Sequence, residues 1–458
     1  MFIETLGIDS NDLNEQYLQQ RILGADREEG KTIDYKKKFE FACETSGKIS
    51  WKGVNRASQY EFLRDISSFA NTNGGVIFYG INAPQGIPIK INGLNIPKNA
   101  FELIENHLDD LLRDHIEPPI TVGYHHTSLE NARQVYALII PRSLTGPYQL
   151  VFEEGNKPIH KEFWARSDAK KKYQLGVGQL RDAFRRSQAL IDEVAQFKAN
   201  RIKFASNGFA ISKLPFNGNA MTLLHLIPIG AFDVERKQYD TNSVFREEKV
   251  LVPMFRTGNA GFLGSDPTIR SAFNFDGVKK CCFYKFPTKS ELDASERTVS
   301  YPYTCAQLFT NGIVEAIERI KLNTEKHIQN QKRIDISSYE EGLINALRNY
   351  LETLQKLRVA PRIFLFLTLC GVKGYELGRS LSSTMLGGQI DRDTLEIAAS
   401  PIDTYNIKPE TILKPCFDSI WNACGYPESL NYDDDGNYDV RGSDQRLKKW
   451  VEGPLEKN

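Results

Sequence analysis

Two carboxylates and a lysine near the start of the chain have a spacing that suits metal-assisted chemistry. Glu29, Asp34 and Lys36 belong to the segment EEGKTIDYKKKF, in which a loop runs into a strand. Such a loop can bring both carboxylates to one point, and Lys36, two residues after Asp34, lies on the same strand face. Hydrolysis of a phosphodiester uses a hard divalent ion, Mg²⁺ or Mn²⁺, which takes oxygen ligands of this kind. The segment therefore predicts a catalytic group with Glu29 and Asp34 as metal ligands.

The same three side chains also fit an ordinary structural interpretation. Asp34 can pair with Lys36 or cap a turn, and Glu29 can face the solvent. Composition does not separate the two interpretations, because 58 basic and 58 acidic side chains give a formal net charge of +0. A neutral chain has no overall attraction for nucleic acid, so binding of that kind must come from local clusters.

Two clusters of positive charge are candidates for such binding. They are Lys36, Lys37 and Lys38, directly after the acidic residues, and Lys170, Lys171 and Lys172 further along. Runs of this type are more often solvated faces than binding sites. Their places beside the acidic segment and after a predicted strand favour a shared groove that holds phosphates. Tyr35, Trp164 and Tyr173 lie among these lysines, where they either stack on bases or pack against the sheet.

The segment YEFLRDISSFANTNGGVIFYGI, Tyr60 to Ile81, describes a helix that runs into a buried strand. Apolar residues recur at three- and four-residue spacing as far as Ala70, which places them on one helical face. Asn and Gly tolerate the left-handed conformation, so Asn71 to Gly75 should end the helix. Val76 to Tyr79 then predicts a core strand. Taken alone, this is an ordinary helix-loop-strand unit.

As a string, FANTNGG followed by an apolar strand and Gly-Ile closely resembles the signature of the Schlafen-type AlbA-like domain. EEGKTIDYKKKF resembles the segment that opens the same domain, with an acidic pair, an aromatic residue and a lysine at Glu29, Asp34, Tyr35 and Lys36. VYALIIPRS and the aromatic-x-Arg-Ser step at Trp164 to Ser167 resemble its later strands. The resemblance covers residues 1–190 and implies an α+β fold with a mixed sheet and packed helices.

This resemblance carries specific expectations about the site. In Schlafen ribonucleases a third acid follows the Gly-hydrophobic pair after the central strand, and here that place holds Asn82, an uncharged ligand. Asp65 is a possible substitute, since an Asp at that place is common among the bacterial relatives. The resemblance thus implies a metal site of Glu29, Asp34 and Asn82, with Asp65 as a further catalytic residue. It also places Arg166 among the nucleic-acid contacts.

These residues are compatible with three functions. The first is a metal-dependent endoribonuclease that cleaves tRNA or other structured RNA, in antiviral or anti-phage defence. The second is a non-catalytic DNA- or RNA-binding regulator, in which Asn82 marks lost catalysis. In the ordinary structural interpretation, Asp65 pairs with Arg64 or Lys52 at the surface. The third is ATP binding, but the chain has no phosphate loop of the form GxxxxGK[ST]. We favour the first.

Length and composition describe the rest of the chain. Its 458 residues, 41% of them hydrophobic, predict two globular domains, 1–190 and an α/β or α+β domain of unknown role at 191–458. A long helix from Gln179 to Lys203 should join them. An acidic N-terminus and the lack of about 18 consecutive apolar residues predict a cytoplasmic protein without membrane association. The sequence leaves a homodimer open.

Periodicity places further elements around the candidate site. Phe101 to Asp114 predicts an amphipathic helix with Leu103 and Ile104 on its apolar face. Ile33 to Phe41 and Lys161 to Arg166 each predict a single strand. These elements complete the predicted first domain.

Overall fold

In the computed structural model the chain divides into two units, Met1–Asp192 and Glu193–Asn458, and the division lies within one long helix. The structure describes residues 2–3, 5–24, 27–40, 43–45, 48–50, 54–97, 100–142, 146–153, 160–167, 171–207, 209–211, 214–215, 220–232, 238–241, 269–275, 278–284, 302–320, 332–380, 383–384 and 387–452. The predicted boundary after residue 190 lies in the same helix. Independent folding of the two parts stays a prediction.

The first unit contains short strands and four α-helices among its described residues. The strands are β1 (Phe2–Ile3), β2 (Ile8–Asp9), β3 (Ile33–Lys36), β4 (Cys43–Thr45), β5 (Lys48–Ser50), β6 (Gly75–Tyr79), β7 (Ile81–Asn82), β8 (Lys90–Ile91), β9 (Ile116–Glu117), β10 (Gly123–Ser128), β11 (Gln134–Ile140), β12 (Gln149–Phe152), β13 (His160–Glu162), β14 (Trp164–Arg166) and β15 (Lys172–Gln174). The helices are α1 (Glu15–Tyr17), α2 (Arg56–Ala70), α3 (Phe101–His115) and α4 (Val177–Ser206), which begins in this unit.

A four-stranded mixed sheet forms the centre of this unit, in the order β10-β11-β6-β3. Strands β3 and β6 run parallel, with Asp34 opposite Ile77, and the other neighbours are antiparallel. Ile77 and Tyr79 pack with the apolar face of α2, whereas Val76 and Phe78 pack with residues of the N-terminal segment. Because both faces are covered, β6 is apolar at every position after Gly75, as a buried strand should be.

The structure corrects three sequence-based details. Leu103 is 66% exposed whereas Ile104 is buried, because successive residues of a helix point about 100° apart and the buried arc begins at Ile104. The strand predicted for Lys161 to Arg166 is two strands, since β13 pairs with β12 while β14 pairs with β15. The strand predicted from Ile33 ends at Lys36, where pairing with β6 also ends.

The second unit has its own sheet and helices among the described residues. Its strands are β16 (Phe209–Ile211), β17 (Leu214–Pro215), β18 (Met221–Pro228), β19 (Ile269–Phe275), β20 (Val278–Tyr284), β21 (Pro302–Phe309), β22 (Val314–Arg319), β23 (Arg333–Asp335), β24 (Ile363–Cys370), β25 (Glu376–Ser380), β26 (Ser383–Thr384), β27 (Thr394–Glu396) and β28 (Ser400–Ile402). Its helices are α5 (Ile336–Lys356), α6 (Pro409–Asn422) and α7 (Ser443–Glu452).

The centre of the second unit is an antiparallel sheet in the order β19-β20-β21-β22-β18-β24-β27. Strand β28 also pairs with β24. Apolar residues of α5 and α6 share one core with β18, β22 and β24. Helices packed on an antiparallel sheet give an α+β unit, so the chain as a whole is α+β, as predicted. In the parts of the chain that the structure describes, no helix has the length and apolar character to cross a membrane.

Candidate functional site

The loop Asn71 to Gly75 ties the end of α2 to strands that are distant in sequence. The side-chain amide of Asn71 donates to the carbonyl oxygens of Tyr148 and Trp164 at 2.8 and 3.0 Å. Its Oδ1 accepts the backbone N–H of Tyr148 at 2.6 Å. Thr72 Oγ1 accepts the backbone N–H of Arg166 at 2.9 Å. The loop therefore fixes the strand that carries Arg166 against the end of α2.

Two glycines make this approach possible. Gly74 has a φ of +67°, and a Cβ there would lie 2.6 Å from the carbonyl oxygen of Ile140. A Cβ on Gly75 would collide with the carbonyl oxygen of Thr32 and with the ring of Phe69. The glycines thus let α2, β3 and β11 meet closely, and they explain FANTNGG as a structural signature.

Five charged residues converge between α2, β3 and the β14-β15 hairpin, and we call them the salt-bridge cluster. They are Asp34, Lys36, Asp65, Arg166 and Lys172. Arg166 donates to Asp34 Oδ2 at 3.2 and 3.3 Å and lies 3.5 Å from Asp65 Oδ1. Lys172 Nζ lies 2.8 Å from Asp65 Oδ1, and Lys36 Nζ lies 3.4 Å from Asp65 Oδ2. Asp65 is therefore met by three cations.

Burial makes the charges of this cluster depend on one another. Asp65 is 1% exposed and Arg166 is 5% exposed. Burial alone would raise the pKa of Asp65, but the charges of Lys172, Lys36 and Arg166 outweigh it and hold that pKa below its usual value. Burial lowers the pKa of Lys36, but the charges of Asp65, Asp34 and Glu40 outweigh burial and raise that pKa. Asp65 and Lys36 are therefore both charged at neutral pH.

Glu29 lies outside these ion pairs but beside Asp34. Its Oε1 accepts the backbone N–H of Tyr35 at 3.2 Å, and its own N–H donates to Gly86 O at 2.7 Å. Burial, and then the negative charge of Asp34, raise the pKa of Glu29 to about 7. Glu29 and Asp34 therefore lie side by side as a carboxyl pair, in which Glu29 takes up a proton near neutral pH.

The predicted metal ligands are brought together in part. Glu29 and Asp34 supply the hard oxygen donors that Mg²⁺ or Mn²⁺ takes, but Asp34 is also bound by Arg166. Asn82 is half-buried in β7, and its backbone carbonyl accepts the N–H of Ile89 at 2.9 Å. Among the described residues, no three His, Cys, Asp or Glu side chains are arranged to hold a metal ion. As they stand, the residues do not fit a complete metal site, and the metal assignment stays a prediction.

The predicted nucleic-acid contacts divide into two groups. Lys37, Lys38 and Lys171 are exposed. Lys36, Arg166 and Lys172 instead contact the acids of the salt-bridge cluster. Lys170 lies outside the described residues. None of these assignments is tested by the geometry, and all stay predictions.

The structural alternatives have mixed outcomes. Asp34 does pair with Lys36, at 3.9 Å, although Arg166 is its closer partner. The expected surface position of Asp65 is wrong, because its side chain is buried and Arg64 pairs with Glu61 instead. Lys52 lies outside the described residues.

Tyr35 follows the packing alternative, since it is 5% exposed and its ring stacks on Phe78. Sequence reasoning missed Glu61, which contacts Lys172 Nζ at 3.1 Å. Its spacing of four residues from Asp65 on α2 was the available signal, because residues four apart share a helix face.

Comparisons with known proteins find a family match within the first unit. Residues 29–173 match the family model described as Schlafen, AlbA_2, so the chain contains a Schlafen AlbA-like domain. This domain relates the chain to nucleic-acid-related proteins. No curated protein matches.

Solved structures give weak similarities. The chain is similar to the DIP2311 protein from Corynebacterium diphtheriae at 16% identity and a TM-score of 0.21, over 35% of this chain and 30% of that chain. It is also similar to the N-terminal domain of a putative ATP-dependent DNA helicase RecG-related protein from Nitrosomonas europaea, at 14% identity and a TM-score of 0.20. That similarity covers 32% of this chain and 78% of the other. The match thus spans less than a third of the first of these two proteins.

Proposed function

We propose that the first unit binds RNA, with exposed lysines beside the salt-bridge cluster as phosphate contacts. The observation that carries this proposal is that Asp34 and Asp65 are paired with cations of the chain itself. Paired acids repel phosphate less than unpaired acids do, so nucleic acid can approach this surface. The acids then stabilise the fold and do not have to bind a metal ion.

The salt-bridge cluster also brings the two lysine runs together. Lys36 and Lys172 both reach Asp65, one from β3 and the other from β15. Their neighbours in the chain, Lys37 and Lys171, are exposed. Exposed lysines that adjoin one cluster from two strands favour a continuous phosphate-binding surface. The choice of RNA, and of tRNA in particular, comes from the Schlafen resemblance.

Replacing Lys37, Lys38 and Lys171 together by Ala should lower the affinity for tRNA about 10-fold or more at low salt. Each lost phosphate contact should also reduce the slope of log K against log salt concentration by about 0.7–0.9. Fluorescence anisotropy with labelled tRNA, between about 50 and 200 mM salt, measures both quantities. The free energy of unfolding should change by under about 0.5 kcal/mol, because exposed lysines contribute little to stability.

A matched control replaces three exposed lysines of the second unit, Lys373, Lys448 and Lys449, by Ala. The control should bind tRNA as the unaltered chain does. Equal affinity of all three proteins would contradict the assignment of these lysines. An affinity for duplex DNA of similar length that equals the affinity for tRNA would contradict the choice of RNA.

A second candidate function, metal-dependent endoribonuclease activity, rests on the Glu29 and Asp34 carboxyl pair. Burial and the negative charge of Asp34 raise the pKa of Glu29 to about 7, so Glu29 can hold or release a proton near neutral pH. A carboxyl group with such a pKa can act as a general acid or base near neutral pH. Cleavage of tRNA in defence against viruses or phage would be the corresponding biological activity.

Replacing Glu29 by Gln tests this candidate, because Gln still offers an oxygen to the N–H of Tyr35 but cannot carry charge. If the pair is catalytic, Mn²⁺-dependent cleavage of tRNA should fall by about 100-fold or more while tRNA affinity stays equal or rises. Gel analysis with Mn²⁺ and with a chelator measures cleavage. Glu28→Gln, at the exposed neighbouring position, is the control. Unchanged cleavage by the Glu29→Gln variant would contradict a catalytic role of Glu29.

A further inference from the structure

Arg64 and Trp164 form a stacked pair at the edge of the salt-bridge cluster. The guanidinium carbon of Arg64 lies 4.8 Å from the centroid of the Trp164 ring and 5.8 Å from that of Tyr60. Both rings are half-buried, and the Arg64 side chain is 23% exposed. A guanidinium on an aromatic face leaves its own outer face for another planar group.

A partly buried hydrogen-bond arrangement fixes the two rings. Tyr60 O–H and Trp164 N–H both donate to Glu162 Oε2, at 2.5 and 3.0 Å. Burial raises the pKa of Glu162, but the hydrogen bonds from Tyr60, Trp164 and His160 lower it further than burial raises it. The carboxylate is therefore ionised at neutral pH and holds both rings at set angles. A fixed aromatic ring stacks on a ligand at a lower entropic cost than a free one.

The stacked pair is joined to the salt-bridge cluster through one residue. Arg64 Nη2 lies 2.6 Å from Glu61 Oε2, and Lys172 Nζ lies 3.1 Å from the same oxygen. Lys172 in turn contacts Asp65. A cationic and aromatic surface therefore adjoins Lys172, whose neighbour in the chain, Lys171, we assign to a phosphate contact. In single-stranded RNA each phosphate is followed by a base that can stack on such a surface.

We propose that Arg64 and Trp164 form a stacking position for one unpaired nucleobase of the bound RNA. This inference rests on the proposed RNA binding and adds a contact to one nucleobase beside the phosphate contacts. Glu162 is a positioning residue that orients Trp164 and Tyr60. Duplex RNA, whose bases are stacked within the helix, would use the lysines and leave this position empty.

Replacing Trp164 by Ala should lower the affinity for single-stranded RNA by about 10- to 100-fold, as expected for one stacked base. The affinity for blunt duplex RNA of equal length should change by less than about 2-fold, because phosphate contacts remain. Trp164→Phe keeps a ring but loses the N–H that binds Glu162, and should retain most of the single-strand affinity. Trp450→Ala, at a ring that is 39% exposed in the second unit, is the control.

A second measurement covers the case in which Trp164→Ala does not fold. Single-stranded RNA should quench part of the tryptophan fluorescence of the unaltered chain, and Trp164→Phe should lose that part of the signal. Equal losses of single-strand and duplex affinity in Trp164→Ala, or the same quenching with and without Trp164, would overturn the stacking position. If the unaltered chain binds neither RNA, the proposed function fails and the stacking position fails with it.

Discussion

Replacing Asp65 by Asn should destabilise the first unit by about 3 kcal/mol, since one acid there is shared by three cations. Lys36, Arg166 and Lys172 all lie within 3.5 Å of its carboxylate, which is 1% exposed. Asn keeps the shape of the side chain but removes its charge, so the buried guanidinium of Arg166 loses one of its two acidic partners. Hydrogen exchange measured by mass spectrometry on peptides of α2 should become about 100-fold faster.

The opposite outcome would have a definite meaning. An acid kept for catalysis is often replaced without loss of stability, because active sites are strained. Unchanged or slower exchange in Asp65→Asn would therefore support the catalytic assignment of Asp65 and contradict its structural role. Glu61→Gln is the control, since Glu61 contacts Lys172 but its side chain is 41% exposed. An exposed ion pair contributes under about 1 kcal/mol, so exchange should change little.

The helix and strand around FANTNGG could be predicted from the sequence because their signals are local. Apolar spacing determined the face of α2, and the glycines marked its end by the left-handed conformation that Gly74 indeed adopts. The strand β6 followed from four successive apolar residues. Each of these signals is contained within a few neighbouring residues.

The partners of the acids could not be predicted in this way. Asp34 and Arg166 are separated by 132 positions in the chain, and their contact depends on Thr72 holding the backbone of Arg166. Local spacing indicated Lys36 as the partner of Asp34, but that contact is the longer one, at 3.9 Å. Long-range pairing follows from the tertiary packing of α2, β3 and β14, which periodicity does not report.

The other large effect that we expect comes from a buried carboxyl group in the second unit. Glu340 on α5 is fully buried and accepts hydrogen bonds from Trp421, Ser429 and Asn431 at 2.7, 3.0 and 2.7 Å. Burial raises the pKa of Glu340 to about 7, although these three donors lower it in part. The folded chain therefore holds a proton there more tightly than the unfolded chain. This contribution to stability is complete below about pH 4.5 and is lost as the pH rises through about 7.

Replacing Glu340 by Ala should lower the free energy of unfolding of the second unit by about 3–5 kcal/mol at pH 5, because three buried donors lose their acceptor. The loss should be smaller at pH 8, since by then the unaltered chain has itself lost about 3 kcal/mol from the raised pKa. Urea unfolding at both pH values, followed by fluorescence from the buried ring of Trp421, measures the difference. Glu341→Ala, at the exposed neighbouring position, should show neither effect. A loss that grows between pH 5 and pH 8 would show that Glu340 is stabilised as the carboxylate, and that its three donors outweigh its burial.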